Sequence, residues 1–306
     1  MDALTLGATD LSRFEAFSII SVGYKTVSGH TITVDVLYPK SLNDPSQDHI
    51  LSVPRLVLLR YHGGGLIAGY TQEHLAIIVS PNYRLLPEAS VLEVLEDVED
   101  HWQWLHQSLP MLLQRETNGT VKADLSRIMT TGDSAGGYLS LSMGLSHPDK
   151  IRAVNAVYPM VNPKAPYFSS GQERLKFKRQ EAITQQPVIV SAAADADRFR
   201  LMFAACQHGQ LGQLFPTDPV SPYLLERIDA GARFPRGGVL ILHGRDDSVA
   251  PVEESYVLRR RLAQVDPSLN FRLVVRDGEH GFDHLAKLHD VWLWDAIQDI
   301  VRSWLY

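Results

Sequence analysis

Residues 132–137 read Gly132-Asp133-Ser134-Ala135-Gly136-Gly137, and they decide the fold. The β-like run Ile128-Met129-Thr130-Thr131 precedes them, and the apolar segment 138–145, suited to a helix, follows. Strand, sharp turn, helix is the context of a G-x-S-x-G nucleophile elbow. Such a turn lifts the serine hydroxyl above the sheet on a strained backbone, so bulk at positions 132 or 136 would strike neighbouring chain. The helix that follows points its N-terminus, with free backbone N–H groups, at the place where negative charge would develop.

Outward from the elbow, strand-like and helix-like segments alternate. Residues 14–22 and 31–38 read as an opening strand pair joined at Ser28-Gly29-His30. Leu56-Val57-Leu58-Leu59-Arg60-Tyr61 is a nearly continuous apolar run, as in a strand buried on both faces. Ala76-Ile77-Ile78-Val79-Ser80 is another. Val91, Leu92, Val94, Leu95, Val98, Trp102 and Leu105 recur at helical spacing, with Glu93, Glu96, Asp97, Glu99 and Asp100 as the polar face. Strands over 151–158, 238–242 and 271–275 follow, with helices over about 252–264 and 284–305. This succession predicts an α/β fold with a mostly parallel sheet and helices on both faces.

Between 162 and 236 the rhythm breaks. Pro163, Pro166, Pro187, Pro216, Pro219 and Pro222 fall here, around helical candidates at 172–182 and 193–207. We read 163–236 as an insertion over the carboxyl ends of the strands, where ligands bind in open α/β sheets. Tyr167, Phe168, Phe177, Phe199, Phe203 and Phe215 are its aromatic residues, available for its own packing or for an apolar pocket.

The chain has 306 residues, 45% of them hydrophobic, enough for a large core in one domain over 1–306. A net charge of −6 with no basic block argues against nucleic acid as a partner. The single cysteine, Cys206, excludes an internal disulfide and fits a reducing compartment. Its neighbours Phe203, Ala204 and Ala205 mark it as a small buried hydrophobe rather than a nucleophile. The first residues lack a basic n-region, and no apolar run reaches the ~18 residues of a membrane helix, so a cytoplasmic protein is expected.

A serine nucleophile needs a base, an orienting acid and an oxyanion hole. His280, in Asp277-Gly278-Glu279-His280-Gly281-Phe282 after the strand at 271–275, is the candidate base. Asp247 is the candidate acid, preferred over Asp246 because Asp-x-x-x-Pro leads into the next helix. His62-Gly63-Gly64-Gly65, just past the strand at 56–61, lets backbone N–H groups approach a substrate oxygen. His284 reads as a residue opening the last helix. No metal is expected, since there is neither His-Glu-x-x-His nor a cysteine pair. No cofactor is expected either, and Gly63 to Gly69 lacks the Gly-Lys-Ser/Thr of a phosphate loop.

Together with His62-Gly63-Gly64-Gly65 and Asn82-Tyr83-Arg84-Leu85-Leu86-Pro87-Glu88-Ala89, the elbow resembles the hormone-sensitive-lipase branch of the α/β-hydrolase fold, with the Leu-Leu-Pro-Glu-Ala variant similar to fungal members. The resemblance implies a carboxylesterase acting on small-molecule esters. Ser134 would be the nucleophile, His280 the base and Asp247 its acid partner. Gly64, Gly65 and Ala135 would donate to the oxyanion, and the insertion would be a cap. Arg84 and Glu88 would have packing or ion-pair roles. A ligand-binding protein on this scaffold is the alternative, although receptors of that kind lose the base that His280 supplies here; a non-hydrolytic elimination or acyl transfer is another.

One departure stands out. Relatives carry a full helix between the H-G-G-G loop and the next strand, whereas only residues 66–75 separate Gly65 from Ala76 here. A parallel crossover needs at least ~10–12 residues including its helix. The sequence therefore predicts a shortened or missing helix and a more exposed sheet face.

Overall fold

The computed structural model describes residues 14–43, 53–63, 76–170, 189–192, 196–287 and 289–306. Eight strands form one sheet: β1 (Phe17–Val27), β2 (His30–Pro39), β3 (Arg55–Tyr61), β4 (Ile77–Pro81), β5 (Ala123–Gly132), β6 (Ile151–Val157), β7 (Val239–Gly244) and β8 (Phe271–Arg276). Their order is β1-β2-β4-β3-β5-β6-β7-β8. β1 pairs with β2 and β2 with β4 antiparallel; every other pairing is parallel. The α-helices of six or more residues are α1 (Val91–Gln107), α2 (Leu109–Glu116), α3 (Ala135–Ser146), α4 (Ala196–Gln207), α5 (Leu224–Asp229), α6 (Val252–Val265) and α7 (Val291–Leu305). None among the described residues is long and apolar enough to cross a membrane.

The apolar runs become the central strands because both faces are covered. All six residues of β7 are buried. On one face Val57, Leu59, Ile77, Val79 and Val154 join the buried residues of α1, α3 and α6. On the other, Leu58, Met129 and Leu240 meet Leu293, Ala296, Ile300 and Trp304 of α7.

α1 starts where the sequence says it should. Ser90 Oγ accepts from the Glu93 N–H at 3.3 Å and the Glu93 carboxylate accepts from the Ser90 N–H at 2.8 Å, a reciprocal cap. Its polar face is not uniform, however. Asp97 is fully buried, because Arg84 Nε and backbone N–H both donate to its Oδ2 at 2.9 Å while Lys25 Nζ lies 2.7 Å from Oδ1. A paired carboxylate can be buried where a lone one cannot.

Two further expectations change. The last helix begins at Val291 rather than near His284, since residues 281–286 are spent on turns, with the His284 N–H donating to Gly281 O and the Ala286 N–H to Asp283 O. The sheet face beside the short crossover is not stripped. Leu56, Leu58 and Ile78 are each under 8% exposed, and Phe14 packs at that edge with Phe17, Leu37 and Ile78. The strands on either side pair in parallel, Val57 opposite Ile77. Residues 64–75, where the shortened helix was expected, and 172–182 lie outside the described residues.

Candidate active site

The elbow is built as its glycines require. Ser134, between β5 and α3, has φ 55° and ψ −117°, in the region that L-residues rarely adopt. A Cβ at Gly132 would strike the Gly136 backbone, and one at Gly136 would strike Tyr61 O. The strained residue is held from the side: the Ser134 N–H donates to Val157 O at 2.9 Å, and Asp133 makes a parallel bridge to Val157. β6 therefore fixes the turn that β5 alone would leave as a sharp kink.

Asp247 lies just beyond β7. Its Oδ1 accepts from the Val249 and Ala250 N–H groups at 2.9 and 2.8 Å, and its Oδ2 lies 2.8 Å from His280 Nδ1. Burial alone would raise this carboxyl, but hydrogen bonding to His243 and His280 overrides it and holds the group well below the usual carboxylate range. Asp246 is exposed and spends its backbone N–H on Gly278 O, so it belongs to the loop and not to His280. His243 was missed in the sequence. It is fully buried at the end of β7, with Nδ1 2.8 Å from Ser255 Oγ, Nε2 2.7 Å from Ala250 O and the same nitrogen 3.5 Å from Asp247 Oδ2. A histidine four residues ahead of the acid was its only sequence signal.

Asp247 and His280 are thus brought into direct contact. Among the described residues, no hydrogen bond joins Ser134 to His280; such contacts are often long before substrate binds. Ala135 is the first residue of α3, so its N–H has no intrahelical acceptor. Gly64 and Gly65 lie outside the described residues. The loop they follow is anchored: Tyr83 Oη donates to His62 O at 2.5 Å and the two rings stack at 4.4 Å. Burial pushes the His62 imidazole down to about 4, so it stays neutral there. Asp133 sits beneath this loop, 3.1 Å from Arg60 Nη2. Its burial pushes the carboxyl up to about 6, against the pull of Arg60 and with Asp283 adding to the rise.

Ser134 and Ala135 open on a cavity of about 460 Å³. Tyr138, Met160, Phe168 and Phe215 make much of its wall, with Met202 and Cys206 contributed by α4. Burial raises the Cys206 thiol to about 11, so it stays protonated at neutral pH. α4 is tied to the body by Arg198, whose Nη1 lies 2.6 Å from Glu88 Oε1 and whose Nη2 donates to Leu86 O at 2.7 Å. The Leu85 N–H donates to Val190 O at 2.7 Å beside it. Arg84 is engaged elsewhere, by Glu93, Glu96 and Asp97. No group of three or more His, Cys, Asp or Glu fit for a metal ion occurs among the described residues.

Comparison with known proteins agrees with this architecture. A probable carboxylesterase of Phoma sp. is 30% identical over 96% of this chain and 98% of its own length. A non-reducing polyketide synthase of Emericella nidulans is 26% identical over 94% of this chain, which corresponds to 14% of that much longer protein. Among solved structures, esterase B of Lactobacillus rhamnosis superimposes with a TM-score of 0.63 at 15% identity, covering 99% of this chain and 91% of that one. Residues 58–217 match the family described as the alpha/beta hydrolase fold. The chain belongs to the α/β-hydrolase family, in its hormone-sensitive-lipase-like branch.

Proposed function

We propose that the protein is a serine hydrolase that cleaves carboxylic esters through an acyl-enzyme. The observations that carry this reading are the Asp247–His280 contact and a strained Ser134 at the mouth of an apolar cavity. Asp247 fixes the imidazole through Nδ1, leaving Nε2 as the nitrogen for the serine proton. Ser134 Oγ adds to the ester carbonyl as His280 takes that proton. The Ala135 N–H, with the expected Gly64 and Gly65 donors, stabilises the oxyanion. Collapse expels the alcohol, which leaves with the proton from His280. Water then repeats the sequence on the acyl-serine and frees the acid and Ser134.

We take residues 1–306 as one domain, with 163–236 as a cap over the site. The cavity's aromatic and thioether walls suit an ester with a sizeable apolar group. The match to a polyketide synthase across nearly the whole chain favours a polyketide-derived ester as the natural substrate.

The test is hydrolysis of p-nitrophenyl acetate, butyrate and octanoate by wild type beside Ser134→Ala. Expected is activity that rises with acyl length and disappears in the variant. Equal background rates from two folded proteins would reject ester hydrolysis. Identification of the acid and alcohol released separates hydrolysis from elimination or acyl transfer.

A further inference from the structure

Past the ends of β7 and β8, Asp247 and His280 sit on two loops that run side by side. Gly244 allows this approach, since a Cβ there would strike the Gly278 and Glu279 carbonyls. The Arg245 N–H donates to Arg276 O and the Asp246 N–H to Gly278 O, so backbone pairing continues beyond the strands. Asp247 then closes a local turn around Ser248, its Oδ1 accepting from the Val249 and Ala250 N–H groups. That turn sets the carboxylate against its own backbone. What sets the turn against the rest of the molecule is the residue inside it.

Ser248 spends both of its backbone groups outside the turn. Its N–H donates to Glu279 Oε2 at 3.0 Å, and Glu279 immediately precedes His280. Its carbonyl accepts from Tyr167 Oη at 2.5 Å. Tyr167 belongs to the single helical turn Pro166–Ser169, near the start of the proposed cap. That turn is well seated. Phe168 is only 2% exposed and packs edge-on against the Tyr167 ring at 5.4 Å, and a Cβ at Gly212 would press on Pro163 O and Phe168 O. Among the described residues Phe168 lines the cavity and Tyr167 does not. On the imidazole itself, Asp247 contributes the hydrogen bond and Tyr158 a ring contact, with centroids 4.4 Å apart.

We propose that Tyr167 and Glu279 are positioning residues for the Asp247–His280 pair, acting through the two backbone groups of Ser248. Glu279 ties the acid turn to the residue beside the base, so the two loops keep a common spacing. Tyr167 ties the same turn to the first helical turn of the cap, so the place of the carboxylate depends on a side chain far upstream in the chain. Neither side chain acts on the ester. This inference rests on Asp247 and His280 being the acid and the base.

The test uses the full chain with p-nitrophenyl acetate and octanoate, comparing wild type with Tyr167→Phe, Glu279→Ala, Glu279→Gln and Ser134→Ala. Tyr167→Phe keeps the ring and removes the hydroxyl. Misplacing a catalytic group by about an ångström lowers rates on the order of a hundredfold, so a loosened turn should lower kcat about tenfold. The loss should be equal for the two esters, with KM within about twofold for both, because it arises at the acid and base and not at the cavity wall. Glu279→Ala should lose a similar factor, while Glu279→Gln, which keeps an oxygen for the Ser248 N–H, should stay within about threefold of wild type. Placed in an Asp247→Asn background, Tyr167→Phe should change kcat by less than about threefold, since the carboxylate it positions is gone. Wild-type kcat in Tyr167→Phe overturns the proposal, as does a loss that grows from acetate to octanoate or falls on KM. An undiminished loss in the Asp247→Asn background overturns it too. So does Glu279→Gln as slow as Glu279→Ala, a comparison that decides the matter even if Tyr167→Phe does not fold. Ser134→Ala separates the two readings: activity surviving that change rejects the serine mechanism itself, whereas an inactive Ser134→Ala beside an unimpaired Tyr167→Phe rejects only the positioning role.

Discussion

His280 Nδ1 and Asp247 Oδ2 lie 2.8 Å apart, although the residues are 33 positions apart in the chain. The carboxylate is buried, and its second oxygen is already taken by two backbone N–H groups. It therefore has one side-chain contact to make toward the loop, and one tautomer to impose. Asp247→Asn should keep the fold but lower kcat on the order of 10²–10⁴-fold, because an amide can hold the imidazole in the wrong tautomer. Steady-state kinetics with butyrate esters measures it; kcat within threefold of wild type would show that the contact is dispensable.

His243 should matter to stability more than to turnover. Both its nitrogens are satisfied inside the core. His243→Ala would leave a void and strip Ser255 and Asp247 of a partner, costing about 2–4 kcal/mol. Urea denaturation checks the loss, and an unchanged midpoint would contradict the assignment.

Asp133 gives stability a defined pH dependence. Its folded pKa, about 6, lies above the ordinary value of 3.8, so the folded state binds the proton more tightly. Stability from this group is greatest below the ordinary value and falls as pH rises through about 4 to 6. The difference amounts to about 3 kcal/mol by pH 7. Asp133→Asn, which cannot titrate, should gain stability relative to wild type across that window. Denaturation at pH 4, 5, 6 and 7 reads the slope of the difference, and a flat difference would remove the effect.

The Arg198–Glu88 pair should couple α4 to the cavity. Arg198→Ala leaves a buried carboxylate without its cation, whereas adding Glu88→Gln relieves that burden. The double variant should therefore be more stable than Arg198→Ala alone, with a coupling of about 1–3 kcal/mol. The octanoate KM should rise more than the acetate KM, since α4 forms cavity wall. Additive losses and parallel KM values would count against the latch.

Much of this molecule was legible because backbone geometry writes itself into residue choice. Gly132 and Gly136 flag a turn where no Cβ fits, and the apolar runs at 56–61 and 76–80 flag strands covered on both faces. Asp247 and His280 could be named because each follows a strand closely. What escaped were residues whose meaning depends on a distant partner. Asp97 read as solvated because Arg84 and Lys25 reach it from β4's exit and from β1. Tyr158 read as the last residue of a strand, since neither its φ of 37° nor its contact with His280 leaves a local pattern. The start of α7 was misplaced because 284–305 has helical content throughout, while the turns at 281–286 answer to the neighbouring loop.

The hold of Val157 on Ser134 has one more consequence. It runs through backbone atoms alone, a carbonyl accepting from an N–H and a main-chain bridge. Position 157 can therefore change its side chain over evolutionary time without shifting the serine, provided the chain there stays extended. A deletion is another matter. Losing one residue from the 147–150 connection would slide β6 along its neighbours and offer the elbow a different carbonyl. Length, rather than identity, is what natural variation must preserve in that part of the chain.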